Sequence, residues 1–228
     1  MPEPQIVALG GLGGDGAAGE LVRFVLGLTG KERPRVCFVP TASAESPELL
    51  VTFYEELNAF AECSHVSFFP WPREDLRKHV LSQDAVFVSG GNTANLLAIW
   101  RAHGFDRIIR EAWERGVVLA GSSAGMICWF EAGVTDSFGP QLAGMPDGLG
   151  FLPGSACPHY DGEERRRPVY QELVAGGFPP GIAADDAVGL HFVGTELKEA
   201  VSAREGGRAY RVEPGSETPI EPRFLGKE

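Results

Sequence analysis

Five short apolar runs, each separated from the next by a helical pattern, leave this chain few folds to adopt. Residues 5–9, 35–39, 65–69, 85–89 and 117–120 are rich in Val, Ile and Phe and lack polar alternation, as expected of strands buried on both faces. Between them, residues 15–28, 47–60, 92–101 and 106–115 carry helical patterns. Ser46 before Pro47 has the form of an N-cap with proline at the first helical position. Such alternation predicts an α/β fold, a mainly parallel sheet flanked by helices on both faces.

The second half is less regular. Residues 133–158 are rich in Gly and Pro and read as loops or short β pieces. A helix is predicted over 166–175, then strands over 187–193, 198–203 and 208–212. The tail, about 213–228, is polar and Pro-rich, packed or loose, with Ile220 and Phe224 as the residues that could pin it. No repeat, low-complexity tract or linker interrupts the chain, so residues 1–228 are expected to form a single domain.

Charge narrows the partners. A net charge of −11 argues against a sequence-independent grip on nucleic-acid phosphates and against docking on anionic membranes. No stretch approaches the roughly 20 apolar residues that span a bilayer. The opening MPEPQIVALGG has no basic region before its short apolar run, so no secretory signal is expected. Cys37, Cys63, Cys128 and Cys157 form no CxxC pair and no metal-ligand spacing. Cys37, Cys63 and Cys128 read as reduced, mostly buried thiols of a cytoplasmic protein, with Cys157 set apart by its nearness to the candidate site. No metal or other cofactor is called for. A homodimer is compatible with the sequence, although no stretch marks an interface.

The segment Val117 to Ile127 carries the sharpest chemical signal: an apolar strand, then Gly121-Ser122-Ser123-Ala124-Gly125, then a helical apolar run. A nucleophilic serine between strand and helix needs a tight turn, and small flanking residues keep that turn free of clashes. It also sets the helix N-terminus and the amide of Ala124 beside any oxyanion formed at the attacked carbonyl. Ser123, in the middle of the pentapeptide, is the expected nucleophile rather than Ser122.

A serine hydroxyl needs a base. Of five histidines, His65, His79 and His103 have polar or strand-end settings. His159 follows an irregular Gly/Pro segment that could hold it at a strand edge, and His191 lies within an apolar run; both remain candidates. For the acid, Asp185 and Asp186 stand just before a predicted strand, while Asp136, Asp147 and Asp161 are loop acids. The order Ser123, His159, Asp186 differs from the serine, acid, histidine order of α/β-hydrolases, which disfavours that family.

Two glycine-rich turns complete the set. Gly11-Leu12-Gly13-Gly14-Asp15-Gly16 formally satisfies GxGxxG, which raises a rival reading as a small-molecule or dinucleotide binding module. The second predicted strand, however, lacks the terminal acid that would hold a ribose. Ser89-Gly90-Gly91-Asn92-Thr93 leaves a buried strand. Gly91 could offer a second oxyanion amide and Asn92 could grip substrate, or Asn92 or Thr93 could simply cap a helix.

Taken together, Pro40-Thr41-Ala42, Gly90-Gly91-Asn92-Thr93, Gly121-Ser122-Ser123-Ala124-Gly125 and Cys157-Pro158-His159 resemble the peptidase E family, in order over about residues 5–205. The resemblance implies a class I glutamine amidotransferase-like fold with serine in place of the usual cysteine. It implies a triad of Ser123, His159 and Asp186, although the family's acid is often Glu and Asp185 stays in play. It further implies oxyanion amides from Gly91 and Ala124, and a serine exopeptidase acting on short peptides through an acyl-enzyme. Arg165 fits the place of the arginine with which aspartyl dipeptidases recognise an acidic side chain. The loop from His159 to Arg165 is short for that specificity, which leaves carboxypeptidase-like and cyanophycinase-like activities as alternatives.

Overall fold

The computed structural model describes residues 3–13, 17–69 and 71–226. Pro70 and Gly14, Asp15 and Gly16 of the first glycine-rich turn lie outside them, so that motif is described only as far as Gly13. The first half follows the predicted alternation: β1 (Gln5–Leu9), α1 (Ala17–Leu28), β2 (Arg35–Val39), α2 (Pro47–Leu57), β3 (Glu62–His65), α3 (Leu76–Leu81), β4 (Ala85–Val88), α4 (Thr93–Ala102), α5 (Phe105–Glu114), β5 (Val118–Ser122) and α6 (Ala124–Ile127). There follow β6 (Phe130–Thr135), β7 (Ala143–Met145), β8 (Leu152–Cys157), α7 (Arg166–Ala175), β9 (Gly181–Ala184), β10 (Val188–Val193), β11 (Glu196–Ser202), β12 (Ala209–Glu213), β13 (Ser216–Ile220) and β14 (Arg223–Phe224).

Eight strands form one sheet in the order β14-β11-β10-β1-β5-β4-β2-β3, and six form a second in the order β13-β12-β9-β8-β6-β7. In the first, β1, β5, β4, β2 and β3 run parallel, as their crossover helices require. Strand β10 is antiparallel to β1, and β11 to β10. In the second sheet β8 is parallel to β6 and β9, while β7, β12 and β13 pair antiparallel. Both sheets are therefore mixed: the eight-stranded sheet keeps the parallel crossovers of the first half and adds antiparallel pairings at β10 and β11. The cause is visible in the connections. Two residues link β10 to β11 and two link β12 to β13, and hairpins so short allow only antiparallel pairing.

Alternate residues of the central strands bury against different helices. Val7, Leu9, Val36, Phe38, Ala85 and Phe87 share a core with Leu21, Val25, Phe53 and Leu57 of α1 and α2. Ile6, Ala8, Cys37, Val39, Val86 and Val88 face Leu96, Trp100, Ile109 and Met126 of α4, α5 and α6. That second core continues through Phe130, Leu152, Ile182 and Ala209 into the second sheet. Helix α7 covers the far side of the second sheet, where Tyr170 and Val174 meet Val134, Ala183 and Val212.

Local differences from the sequence reading have physical causes. The run over 65–69 was expected as a strand, but β3 ends at His65. Val66 and Phe68 are buried nonetheless, because the segment leaves the sheet held by the Glu45 carboxylate, which accepts the amides of Phe68 and Phe69. The short helix α3 and strand β9 carry too few residues to show a period. Residues 133–158, expected as loops or short β pieces, include the end of β6 and all of β7 and β8. The tail packs: β13 pairs with β12, β14 with β11, and Ile220 lies against the core.

Candidate active site

The segments bearing Ser123, His159 and Asp186 meet at the C-terminal end of β1. Ser123 follows β5 and precedes α6 at φ 58°, ψ −110°, a conformation that costs a non-glycine residue about 1–3 kcal/mol. Its neighbours explain the pentapeptide. A Cβ at Gly121 would stand 2.3 Å from the Gly125 carbonyl oxygen, and one at Gly125 would stand 2.6 Å from that of Val88. Only bare backbone lets the turn close this tightly. The Ser123 amide donates to the Leu9 carbonyl at 3.0 Å, which fixes the turn to β1.

The next carbonyl along, that of Gly10, accepts the His159 amide at 3.1 Å. His159 follows β8 and also has positive φ, 53°. Its Nδ1 lies 2.6 Å from Asp186 Oδ1, so Nε2 is the ring nitrogen left for other work. Gly11 completes the strip: its carbonyl accepts the Ala187 amide at 3.0 Å. A Cβ on Gly11 would fall 1.9 Å from Asp186 Oδ1 and 2.9 Å from His159 Nδ1. Three successive residues, Leu9, Gly10 and Gly11, thus hold the segments bearing Ser123, His159 and Asp186.

Of the two adjacent aspartates, Asp186 meets the imidazole. Asp185 turns into the protein, where its Oδ2 accepts the Arg208 amide at 2.9 Å and lies 3.9 Å from Arg204 Nη2. Burial, with the charge of Asp161 nearby, pushes the Asp185 carboxyl up to about 6. Asp161, read from the sequence as a loop acid, accepts the Asp186 amide at 2.9 Å and pairs with Arg204. No local signal marked that role.

His191 has a different setting. It is buried on β10 opposite Val7, its Nε2 is 2.9 Å from Gln5 Oε1, and its ring meets Phe24 edge-on. Strand β1 separates it from β5, and burial holds its pKa below the ordinary value. His65 bonds the Tyr54 hydroxyl and His103 packs on Phe68. Cys157 is fully buried, and desolvation pushes its thiol up to about 12, so it carries negligible thiolate.

Gly90 and Gly91 approach the serine from the end of β4. A Cβ on Gly90 would lie 3.3 Å from Ser123 Cβ, and one on Gly91, at φ 132°, would lie 2.1 Å from the Ala42 carbonyl oxygen. Asn92 donates its amide to the same Ala42 carbonyl at 2.8 Å. Its side chain caps α4 by accepting the Asn95 amide at 2.8 Å, and its Nδ2 donates to the Ser137 carbonyl at 3.0 Å. The capping role foreseen for it is therefore present. Arg165 is exposed at the start of α7. Arg166 beside it is buried, paired with Glu163 and bonded to the Val134 carbonyl.

A hydroxyl on a strained strand-to-helix turn and an imidazole oriented by a carboxylate, their backbones anchored on successive carbonyls of β1, are groups suited to acyl transfer. The model of peptidase family S51 matches residues 6–200, and the chain belongs to that family; it is a peptidase. It is 46% identical over 231 residues to the uncharacterized peptidase YgaJ of Bacillus subtilis (strain 168), covering 97% of this chain and 99% of the relative. It is 29% identical over 142 residues to peptidase E of Shewanella denitrificans, covering 58% and 60%. Two solved structures share the fold at 17% identity. A peptidase from an acI-B1 Actinobacterium superposes with TM-score 0.70 over 96% of this chain and 95% of its own. A candidate peptidase E protein from Listeria monocytogenes EGD-e does so with TM-score 0.63 over 89% and 98%. Among the described residues no helix is long and apolar enough to cross a membrane.

Proposed function

We propose that the chain acts as one serine exopeptidase domain of the class I glutamine amidotransferase-like type, cleaving short peptides through Ser123, His159 and Asp186. The observation that carries this reading is the β1 strip, whose consecutive carbonyls hold the serine turn and the histidine that bears the aspartate. Asp186 keeps the proton of His159 on Nδ1 and stabilises the imidazolium. Nε2 takes the proton of Ser123 Oγ as that oxygen bonds the peptide carbonyl carbon. The carbonyl electrons move to the oxygen, where the amides of Gly91 and Ala124 stabilise the charge. Collapse breaks the C–N bond, and His159 gives its proton to the departing amine. Water, deprotonated by the same nitrogen, then cleaves the acyl-enzyme and returns Ser123 to its starting state.

In this reading Asn92 grips the substrate beside the oxyanion turn, and Arg165 pairs with a substrate carboxylate. Replacing Ser123 with Ala should leave a folded protein whose kcat/KM on peptides falls by several orders of magnitude, about 10⁴-fold or more. Hydrolysis by that variant at the parent rate would remove Ser123 from the mechanism.

A further inference from the structure

A cavity of about 400 Å³ opens beside the Gly90–Gly91 turn, lined by Thr41, Ala42, Phe69, Asn92, Ala98 and Ile99 among others. This volume is within the range of ligand sites. Asn92 is two residues along the chain from Gly90, which itself abuts Ser123, so a residue of the cavity lining lies at most about 7 Å of chain from the glycine that touches the serine turn. None of the described residues lining it is charged.

Its walls are held in shape by unusual local structure. Ala44, also part of the lining, and Glu45 take consecutive positive φ values, 54° and 57°. This folds the Glu45 carboxylate back onto the amides of Phe68 and Phe69. The aromatic side chain of Phe69 is thereby held at the cavity, yet 59% exposed. On the opposite side, Trp100 Nε1 donates to Thr41 Oγ1 at 3.0 Å, which locks α4 against the turn after β2. Ser137 Oγ accepts the Thr93 amide at 2.9 Å, which leaves its neighbour Phe138 exposed at the same end of α4. Leu12, next to the triad-contacting Gly11, is exposed too. Strained backbone at Ala44 and an exposed aromatic ring at Phe69, both in the lining of one cavity, mark a binding surface rather than a packing fault.

We propose that this cavity is a specificity pocket for an apolar side chain of the substrate, on a residue flanking the scissile bond. The inference rests on Ser123 being the nucleophile. An aspartate side chain entering here would lose its hydration with no cation among the described lining residues. An aliphatic or aromatic side chain would bury against Phe69, Ala98 and Ile99. The enzyme should therefore prefer Leu or Phe over Asp at that position by at least about tenfold in kcat/KM, the scale on which apolar pockets discriminate.

The test is a peptide series varied separately at each residue flanking the cleaved bond, assayed with the parent enzyme and with Ala98→Glu and Phe69→Ala. Both altered side chains are exposed, and retained folding is checked by thermal melting. The expected result is a preference for Leu or Phe at one position that drops at least tenfold in Ala98→Glu and falls in Phe69→Ala. A preference for Asp, no preference, or one unchanged in both variants would overturn the pocket. A serine-directed phosphonate applied to the parent enzyme separates the two levels. Labelling at Ser123 without apolar preference removes the pocket alone, whereas peptide cleavage that survives in Ser123→Ala removes the catalytic reading and the pocket with it.

Discussion

Asp161 Oδ1 accepts the backbone amide of Asp186 at 2.9 Å, so one carboxylate sets the position of the next one's main chain. Its other oxygen pairs with Arg204, which lies just beyond β11. In the proposed mechanism Asp161 is a positioning residue, acting through Asp186. Asp161→Ala should lower kcat about tenfold with little change in KM, a loss of about 1.4 kcal/mol of transition-state stabilisation. Asp161→Asn, which keeps an acceptor for the amide, should recover most of that loss. Equal kcat for the Ala variant and the parent would show that Asp186 needs no such support.

Gly11 gives a sharper steric test. An added Cβ would lie 1.9 Å from Asp186 Oδ1 and 2.9 Å from His159 Nδ1, so one of the partners must move. Displacing an oriented imidazole by about 1 Å costs on the order of 100-fold in rate. Gly11→Ala should therefore lose about that much in kcat while still melting cooperatively. A melting temperature far below the parent's, with kcat intact in the folded fraction, would mean the glycine serves folding alone.

Asp185 and Asp186 should separate by pH. Asp185 is raised from 3.8 to about 6 when folded, chiefly by burial and by the charge of Asp161, against which the Arg208 amide and the charges of Arg204 and Arg167 act. Between those values the folded state holds the proton more tightly than the unfolded chain, so stability falls as pH rises from about 4 to about 6 and is level above. Two units correspond to at most about 3 kcal/mol. Asp185→Asn, which can still accept the Arg208 amide, should flatten that slope and leave kcat near the parent value. Asp186→Asn should instead lower kcat by orders of magnitude, as the imidazole loses its orienting charge. Chemical denaturation at pH 4, 6 and 8 checks the first expectation, and steady-state kinetics the second. Parallel stability curves for Asp185→Asn and the parent would contradict the first.

What the sequence revealed depended on how far apart the interacting residues lie. Ser123 was legible because strand, turn and helix are contiguous and the clashes that demand Gly121 and Gly125 arise within and beside that turn. The parallel half was legible because each crossover helix separates two buried strands. The mixed second sheet was not, since the Gly/Pro-rich residues 133–158 disguised the end of β6, β7 and β8, and β9 is too short to show a period. His159 and Asp186 lie 27 residues apart on either side of α7 and β9, and only the fold shows that it is Asp186, not Asp185, that reaches the ring. Gly11 read as part of a strand-to-helix turn, because its contacts come from residues about 150 positions or more away. Asp161, Arg204 and Glu45 act on backbone amides or on each other, and such bonds leave no spacing in a sequence.

Arg165 and Arg166 are adjacent in sequence and opposite in environment, so they should fail in different assays. The Arg166 side chain is only 4% exposed, with Nε 2.7 Å from Glu163 Oε2 and Nη1 2.9 Å from the Val134 carbonyl. Arg166→Ala would remove a buried donor from that carbonyl and leave a cavity at the base of α7, although Glu163, 47% exposed, could regain water. The expected cost is about 2–3 kcal/mol, or roughly 4–12 °C in melting temperature for a chain of this size. Arg165 is exposed, so Arg165→Ala should melt with the parent. If it recognises a substrate carboxylate, its loss should raise KM for acidic or C-terminally free peptides and spare their amidated, uncharged counterparts. A KM unchanged for both classes would remove Arg165 from the substrate site, and specificity would then rest on the apolar pocket alone.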